Sequence, residues 1–276
     1  MSWQPTAILQ ADRAYQTATD TVRVTTDAGP GYLKALGNHG GPHLLAADWI
    51  GTKLAAWLGL PTFETAIVQV DEVDEIRFIN NKQAEPGPAF IAKEMSGETW
   101  GAVKGRLTVL VNPGDVGKLV LFDTWTRNAD RYPPDLTTRK PNYNNLFFTN
   151  EDLPDNHWRL IAMDHTHCFT SGRDLNAKLG NIEIVKDERV YGLFPELKPF
   201  LIDPAARAEW EAAVDKLGTL DPAWVREQIA TLPAEWQVDD AGKAALEEFI
   251  CQRANFLFLN YRSMIEAHLN PPPPEP

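Results

Sequence analysis

Two short apolar runs, NLFFT (145–149) and RLIAM (159–163), are joined by the turn-rich NEDLPDN (150–156). Runs of this length between turn residues form strands, and two in succession form a hairpin. Neighbouring strands lie about 4.8 Å apart, so Asn145, opening the first strand, and Asp164, closing the second, come to the same end. There they are near enough to share one metal ion. Upstream, Asp130 stands between the apolar stretch VGKLVLFDTWTRN and a long polar loop. Any one of these residues is most often a turn or cap. An acid, an amide and a second acid, each at the edge of a short apolar element, are more specific, because together they reach one cleft.

The rest of the chain divides around residue 112. Ahead of it, TVRVTTD (21–27) and GYLKAL (31–36) alternate on either side of AGPG, the pattern of a hairpin. GGPHLLAADWIGTKLAAWLG (40–59) reads as a helix opened by Pro42 and closed by Gly59. Its Ala46, Ile50, Leu54 and Trp57 share a face directed at the sheet. TAIVQV (65–70), EIRFIN (75–80) and PAFIAKEM (88–95) complete about five strands. After residue 112 come a helix opened by Asn112-Pro113, the 145–163 hairpin and an irregular stretch from 164 to about 198. Asp203-Pro204 and Asp221-Pro222 each start a helix, and a long helix covers about 240–268. The division predicts an α+β chain with a β-rich lobe over 1–111, an α-rich lobe over 112–270 and a disordered proline-rich tail at 271–276.

Composition removes several function classes. The net charge is −12, which opposes broad binding to nucleic acid or to an anionic membrane surface. No window holds the roughly 20 apolar residues of a membrane span. The start MSWQPTAILQADR lacks the pattern of a secretory signal. Cys168 and Cys251 form neither a metal motif nor a disulfide framework. A reduced, cytoplasmic protein is expected.

Phosphoryl transfer suits such a layout. It needs a cation on the phosphates, carboxylate and amide oxygens on magnesium, and an acid to orient the attacking hydroxyl. Lys34, mid-strand in YLKAL, supplies the cation unless it is simply a solvated outer-face lysine. Asp48, on the helix opposite Ala46 and Ile50, is placed to orient Lys34, or else faces solvent. Asn145 and Asp164 supply the metal oxygens, and Asp130 faces the hydroxyl.

TRNADR, then NNLFF, then LIAMDHTHCF resembles the HipA-like kinases and, more distantly, the phosphoinositide-kinase catalytic core. YLKAL, LLAADWIGTKLAAWLGLP and FIAKEM extend the likeness over roughly residues 20–200. The resemblance implies a two-lobed protein-kinase-like fold that uses ATP with Mg2+ or Mn2+. It makes Asp130 the catalytic base, Asn145 and Asp164 the metal ligands and Lys34 the phosphate-binding lysine. Asp48 stands where a glutamate is usual; being a methylene shorter, it requires closer approach to Lys34. FIAKEM becomes the hinge, with adenine against the backbone of Lys93, Glu94 and Met95. Family members phosphorylate serine or threonine of proteins, and some are toxins with an antitoxin-type partner.

Other readings stay open. QADRAYQTATD (10–20) has no glycine where a phosphate-covering loop is expected, although Thr17, Thr19 and Thr21 offer hydroxyls for phosphate contact or autophosphorylation. Residues 132–143 form an insertion between Asp130 and Asn145, either a flap on the substrate side or a mobile surface loop. His165 and His167, or His39 and His43, would suit a metal hydrolase, but alternation and the Gly40-Gly41-Pro42 break oppose that. A nucleotide-binding pseudokinase, a partner-binding module and a small-molecule phosphotransferase share the same fold expectation.

Overall fold

The computed structural model describes residues 3–270; the expected tail at 271–276 lies outside them. Strands β1 (Ile8–Ala14), β2 (Val22–Thr26), β3 (Gly29–Leu36), β4 (Thr65–Val70) and β5 (Glu85–Lys93) form one antiparallel sheet, in the order β1-β2-β3-β5-β4. Its outer face buries Val22, Val24, Leu33, Ala35, Val68 and Ile91. Period-2 alternation therefore turns the intervening Tyr32 and Lys34 to the other face.

Two sequence expectations change here. Residues 75–80 do not form a strand: Glu75 and Asn81 take positive φ (48° and 67°), and the stretch makes only an isolated bridge from Arg77 to Gln83. Ile76 and Phe78 alternate because both plug the outer face of the sheet. The fifth strand is instead β1, an edge strand in ILQADRA with most residues exposed and two register shifts against β2. With almost nothing to bury, it carries no alternation to read.

Helix α1 (Pro42–Leu58) starts on Pro42, and Gly59, at φ 91°, closes it by donating its N–H to Ala55 and Ala56 carbonyls. The expected apolar face is only part of what it buries. Trp57 packs against Trp125 and Trp224 in the second half of the chain, so α1 is wedged between the sheet and the helices rather than laid on the sheet alone.

The chain leaves the first sheet at Lys93 and joins a second one almost at once, through β6 (Glu98–Thr99), β7 (Leu146–Thr149) and β8 (Arg159–Ala162), again antiparallel. Leu146 pairs with Ala162, which brings Asn145 and Asp164 to one end of the hairpin. Between β6 and β7 come the single turn α2 (Lys104–Leu107) and the central α3 (Gly114–Thr126). The irregular stretch contains short helices, including α4 (Ile182–Val185), and ends at α5 (Lys198–Ile202). Next are α6 (Pro204–Leu217), α7 (Pro222–Ala230) and α8 (Asp240–Leu269). The Asp203 side chain accepts the N–H groups of Ala205 and Ala206, and Asp221 accepts that of Ala223, as the Asp-Pro pairs predict. One core runs through α1, α3, α6 and α8, with Phe122, Trp125, Trp210, Phe249 and Tyr261 fully buried. Among the described residues no helix is long and apolar enough to cross a membrane.

Candidate active site

The inward face of β3 and the buried side of α1 meet at Lys34 and Asp48. Lys34 Nζ donates to Asp48 Oδ2 at 2.6 Å and to Asp164 Oδ1 at 3.2 Å. The shorter aspartate reaches the lysine because α1 sits tightly under the sheet. The other oxygen of Asp48 accepts the backbone N–H of His165 at 2.9 Å, so one carboxylate ties sheet, helix and the segment after β8 together. Burial opposes charge on Lys34, but Asp164 and Asp48 outweigh it and hold the ammonium firmly protonated. Burial likewise opposes charge on Asp164. Lys34 and the Thr166 hydroxyl, at 2.8 Å, overcome it and hold this carboxyl well below the usual carboxylate range. Burial and the charge of Asp164 push Asp48 the other way, against the pull of Lys34.

A second cluster forms around Asp130. Asn145 Nδ2 donates to Asp130 Oδ2, and Asn142 Nδ2 reaches the same oxygen at 3.4 Å. Arg139, from the insertion, donates to Asp130 Oδ1 at 2.9 Å. His167 Nδ1 lies 3.8 Å from Asp130 Oδ2 and 3.2 Å from the Thr166 hydroxyl. Burial lowers the His167 pKa, favouring the neutral ring.

Arg131 joins the two clusters. It is fully buried, and its guanidinium bonds the Asp123 carboxylate on α3, the Met163 carbonyl and, at 3.0 Å, the Asn145 carbonyl. The fork thus clamps the ends of β7 and β8 to the helix that leads into Asp130. Burial pushes Asp123 up to about 6 despite this partner. The only sequence mark of Arg131 is its place beside Asp130, since its partners lie on three separate elements.

A cleft of about 330 Å³ opens above Lys34. Phe63, Phe90, Phe147, Met95 and Met163 supply its apolar walls, while Lys34, Asp48, Asp164 and Thr52 form the polar end. Thr17 and Thr21 line it also and bond each other at 2.9 Å, whereas Thr19 is buried away from the lining. Gly97 approaches closely at φ 153°, where an added Cβ would collide with the Phe148 carbonyl. Of the three expected hinge residues only Met95 lines the cleft. The Lys93 N–H is bonded to the Glu64 carbonyl and the Glu94 N–H to the Pro30 carbonyl. Their side chains pair outward, Lys93 with Glu64 and Glu94 with Arg23.

The histidines are spent separately. His43 Nδ1 accepts the Leu175 N–H at 2.9 Å, the His39 backbone donates to Asp20, and the His165 ring packs edge-on to Phe122. Burial also pushes the Cys168 thiol up, against a hydrogen bond to Thr126.

The family description "HipA-like kinase" matches residues 13–263. The chain belongs to the HipA-like kinase family. Its fold is that of known kinases. One similar structure is the Helicobacter pylori proinflammatory kinase CtkA, with TM-score 0.59 and 12% identity over 96% of this chain and 99% of that one. Another is the golgi casein kinase, with TM-score 0.50 and 10% identity over 98% of this chain and 76% of that one. No curated protein matches this HipA-like kinase in sequence. Family and fold together support phosphotransfer of the kinase type.

Proposed function

We propose that this HipA-like kinase transfers the γ-phosphate of ATP to a serine or threonine hydroxyl of a protein. The observation that carries the reading is the junction of the two clusters: Lys34 on Asp164, and Asp130 on Asn145, held in register by Arg131.

In this reading the apolar walls of Phe63, Phe147 and Met163 enclose adenine, and the polar contacts of the base fall at Met95 to Gly97. Lys34 neutralises the donor phosphates. The acceptor hydroxyl donates its hydrogen bond to Asp130. As the acceptor oxygen bonds to the γ-phosphorus, the bond to the β,γ-bridging oxygen breaks, the proton passes to the Asp130 carboxylate and ADP leaves.

A magnesium or manganese ion fits the oxygens present. Asp164 is held ionised with one oxygen free of Lys34 and Thr166, and Asn145, at the adjoining strand end, has an amide oxygen that accepts the Asn142 amide at 3.0 Å and keeps a second lone pair. Magnesium keeps waters and substrate phosphates as its remaining ligands, so two protein oxygens suffice. Once bound, it supplies charge neutralisation on the phosphates.

Incubation with γ-labelled ATP and magnesium, with mass mapping of phosphate on the protein and on added polypeptides, tests the reading. Labelled phosphoserine or phosphothreonine is the expected result. No transfer with either magnesium or manganese overturns it.

A further inference from the structure

Neither oxygen of Asp130 is free. Oδ2 takes the amides of Asn145 and Asn142, and Oδ1 takes Arg139. Oδ2 already accepts two donors and Oδ1 one, so a hydroxyl donating to this carboxylate comes to Oδ1, beside the guanidinium.

The insertion that carries Arg139 is shaped without that ion pair. Its base is closed by the Asn142 N–H on the Arg131 carbonyl at 2.8 Å. Its tip turns on Asp135, which accepts the Thr137 N–H at 2.9 Å and hydroxyl at 2.7 Å. Tyr132 anchors its start against Phe194, with ring centroids 5.0 Å apart. Arg139 is thus a side chain on a preformed scaffold, 35% exposed, able to leave Asp130 by rotating its own bonds. Among the described residues no carboxylate other than Asp130 lies within ion-pair distance of Arg139, and the exposed Lys140 beside it has no ion-pair partner. Once displaced, the guanidinium gives up its one ion pair among the described residues.

We propose that the incoming acceptor replaces it: Arg139 exchanges Asp130 for a carboxylate flanking the target serine or threonine, and so selects hydroxyls in acidic polypeptide segments. This rests on the reading of Asp130 as the hydroxyl-accepting acid. The exchange couples recognition to exposure of Asp130, because an acidic acceptor draws Arg139 away from Oδ1, whereas a neutral acceptor leaves the guanidinium there to crowd the incoming hydroxyl. Lys140 widens the cationic patch. The net charge of −12 repels an acidic acceptor at a distance, but that field is screened over about 10 Å at 0.1 M salt, whereas the exchange is a contact.

The test is transfer to serine peptides flanked by Glu, Ala or Lys, measured as kcat/KM for the wild type, Arg139→Gln and Arg139→Lys. The wild type is expected to favour the Glu-flanked peptide over the Ala-flanked one by about tenfold or more, the scale of one charge-assisted hydrogen bond. Arg139→Gln should level that preference, mainly by raising KM for the acidic peptide, and Arg139→Lys should keep part of it. Equal use of all three peptides by the wild type, or an acidic preference that survives Arg139→Gln, overturns the inference alone. Failure to transfer to any peptide or to the protein itself removes the proposed function, and this inference with it.

Discussion

Asp48, on α1, accepts the backbone N–H of His165 at 2.9 Å across 117 residues of sequence. The same carboxylate holds Lys34, so the lysine of the sheet and the segment carrying Asp164 are fixed by one side chain. Gly51, a turn of helix further on, makes the approach feasible: a Cβ there would lie 2.5 Å from His165 Cβ.

Gly51→Ala is accordingly expected to destabilise the fold by about 1–3 kcal/mol, the usual cost of overpacking, and to slow transfer by shifting His165 and Asp164. Denaturant midpoints and initial rates check this together. A variant with wild-type values of both would show that the contact yields without consequence.

Lys34→Met removes the cation shared by two carboxylates. The Asp48 side chain is only 3% exposed, and an uncompensated buried charge costs about 3–5 kcal/mol. Adding Asp48→Asn should recover part of that loss while leaving transfer abolished. If urea denaturation finds the single variant as stable as the wild type, Lys34 does not hold the site together.

The Arg131–Asp123 pair is fully buried on both sides. Arg131→Met strands Asp123 and should cost about 3–5 kcal/mol, whereas Arg131→Met with Asp123→Leu should cost much less. The double variant is expected to fold yet transfer poorly, since the ends of β7 and β8 lose their clamp. Full activity in that variant would reduce Arg131 to a packing residue.

ATP with magnesium should stabilise the protein by about 2.7 kcal/mol at 100 times its dissociation constant. Asp164→Asn should weaken the magnesium-dependent share, because an amide holds the cation less well than a carboxylate. Asp130→Asn should keep most of the nucleotide stabilisation and lose transfer by roughly 10²–10⁴-fold. Thermal shifts of all three proteins, set beside transfer rates, separate a working kinase from one that only binds: the latter would show stabilisation and no transfer even in the wild type.

Acid stability should depend on Asp187. Burial opposes its charge, but Arg189, the Tyr191 hydroxyl and Arg127 outweigh burial and hold the carboxyl well below the usual range. Its folded pKa thus lies below the unfolded value of about 3.9. The contribution is complete above that value and is lost as pH falls further. Asp187→Asn should flatten the fall in stability below about pH 4; an unchanged slope in chemical denaturation between about pH 2 and 5 would assign that fall to other carboxylates.

Local features of the sequence determined the elements that frame the site. Pro42 and Gly59 bound α1, Asp203 and Asp221 start their helices, and the apolar runs at 145–149 and 159–163 pair so that Asn145 and Asp164 share an end. Each of these is settled by period, cap or turn within a few residues, which is why it was legible. Where burial was absent or misleading the reading failed: β1 buries too little to alternate, and Ile76 and Phe78 alternate without strand pairing. Tertiary structure alone decided which partner each charge took. Lys34 finds Asp164 across 130 residues, Arg131 finds Asp123 and two carbonyls, and Arg139 turns back onto Asp130. A charged side chain pairs with whatever opposite charge the packed core leaves within a few ångströms, and nothing in the neighbouring residues records that distance.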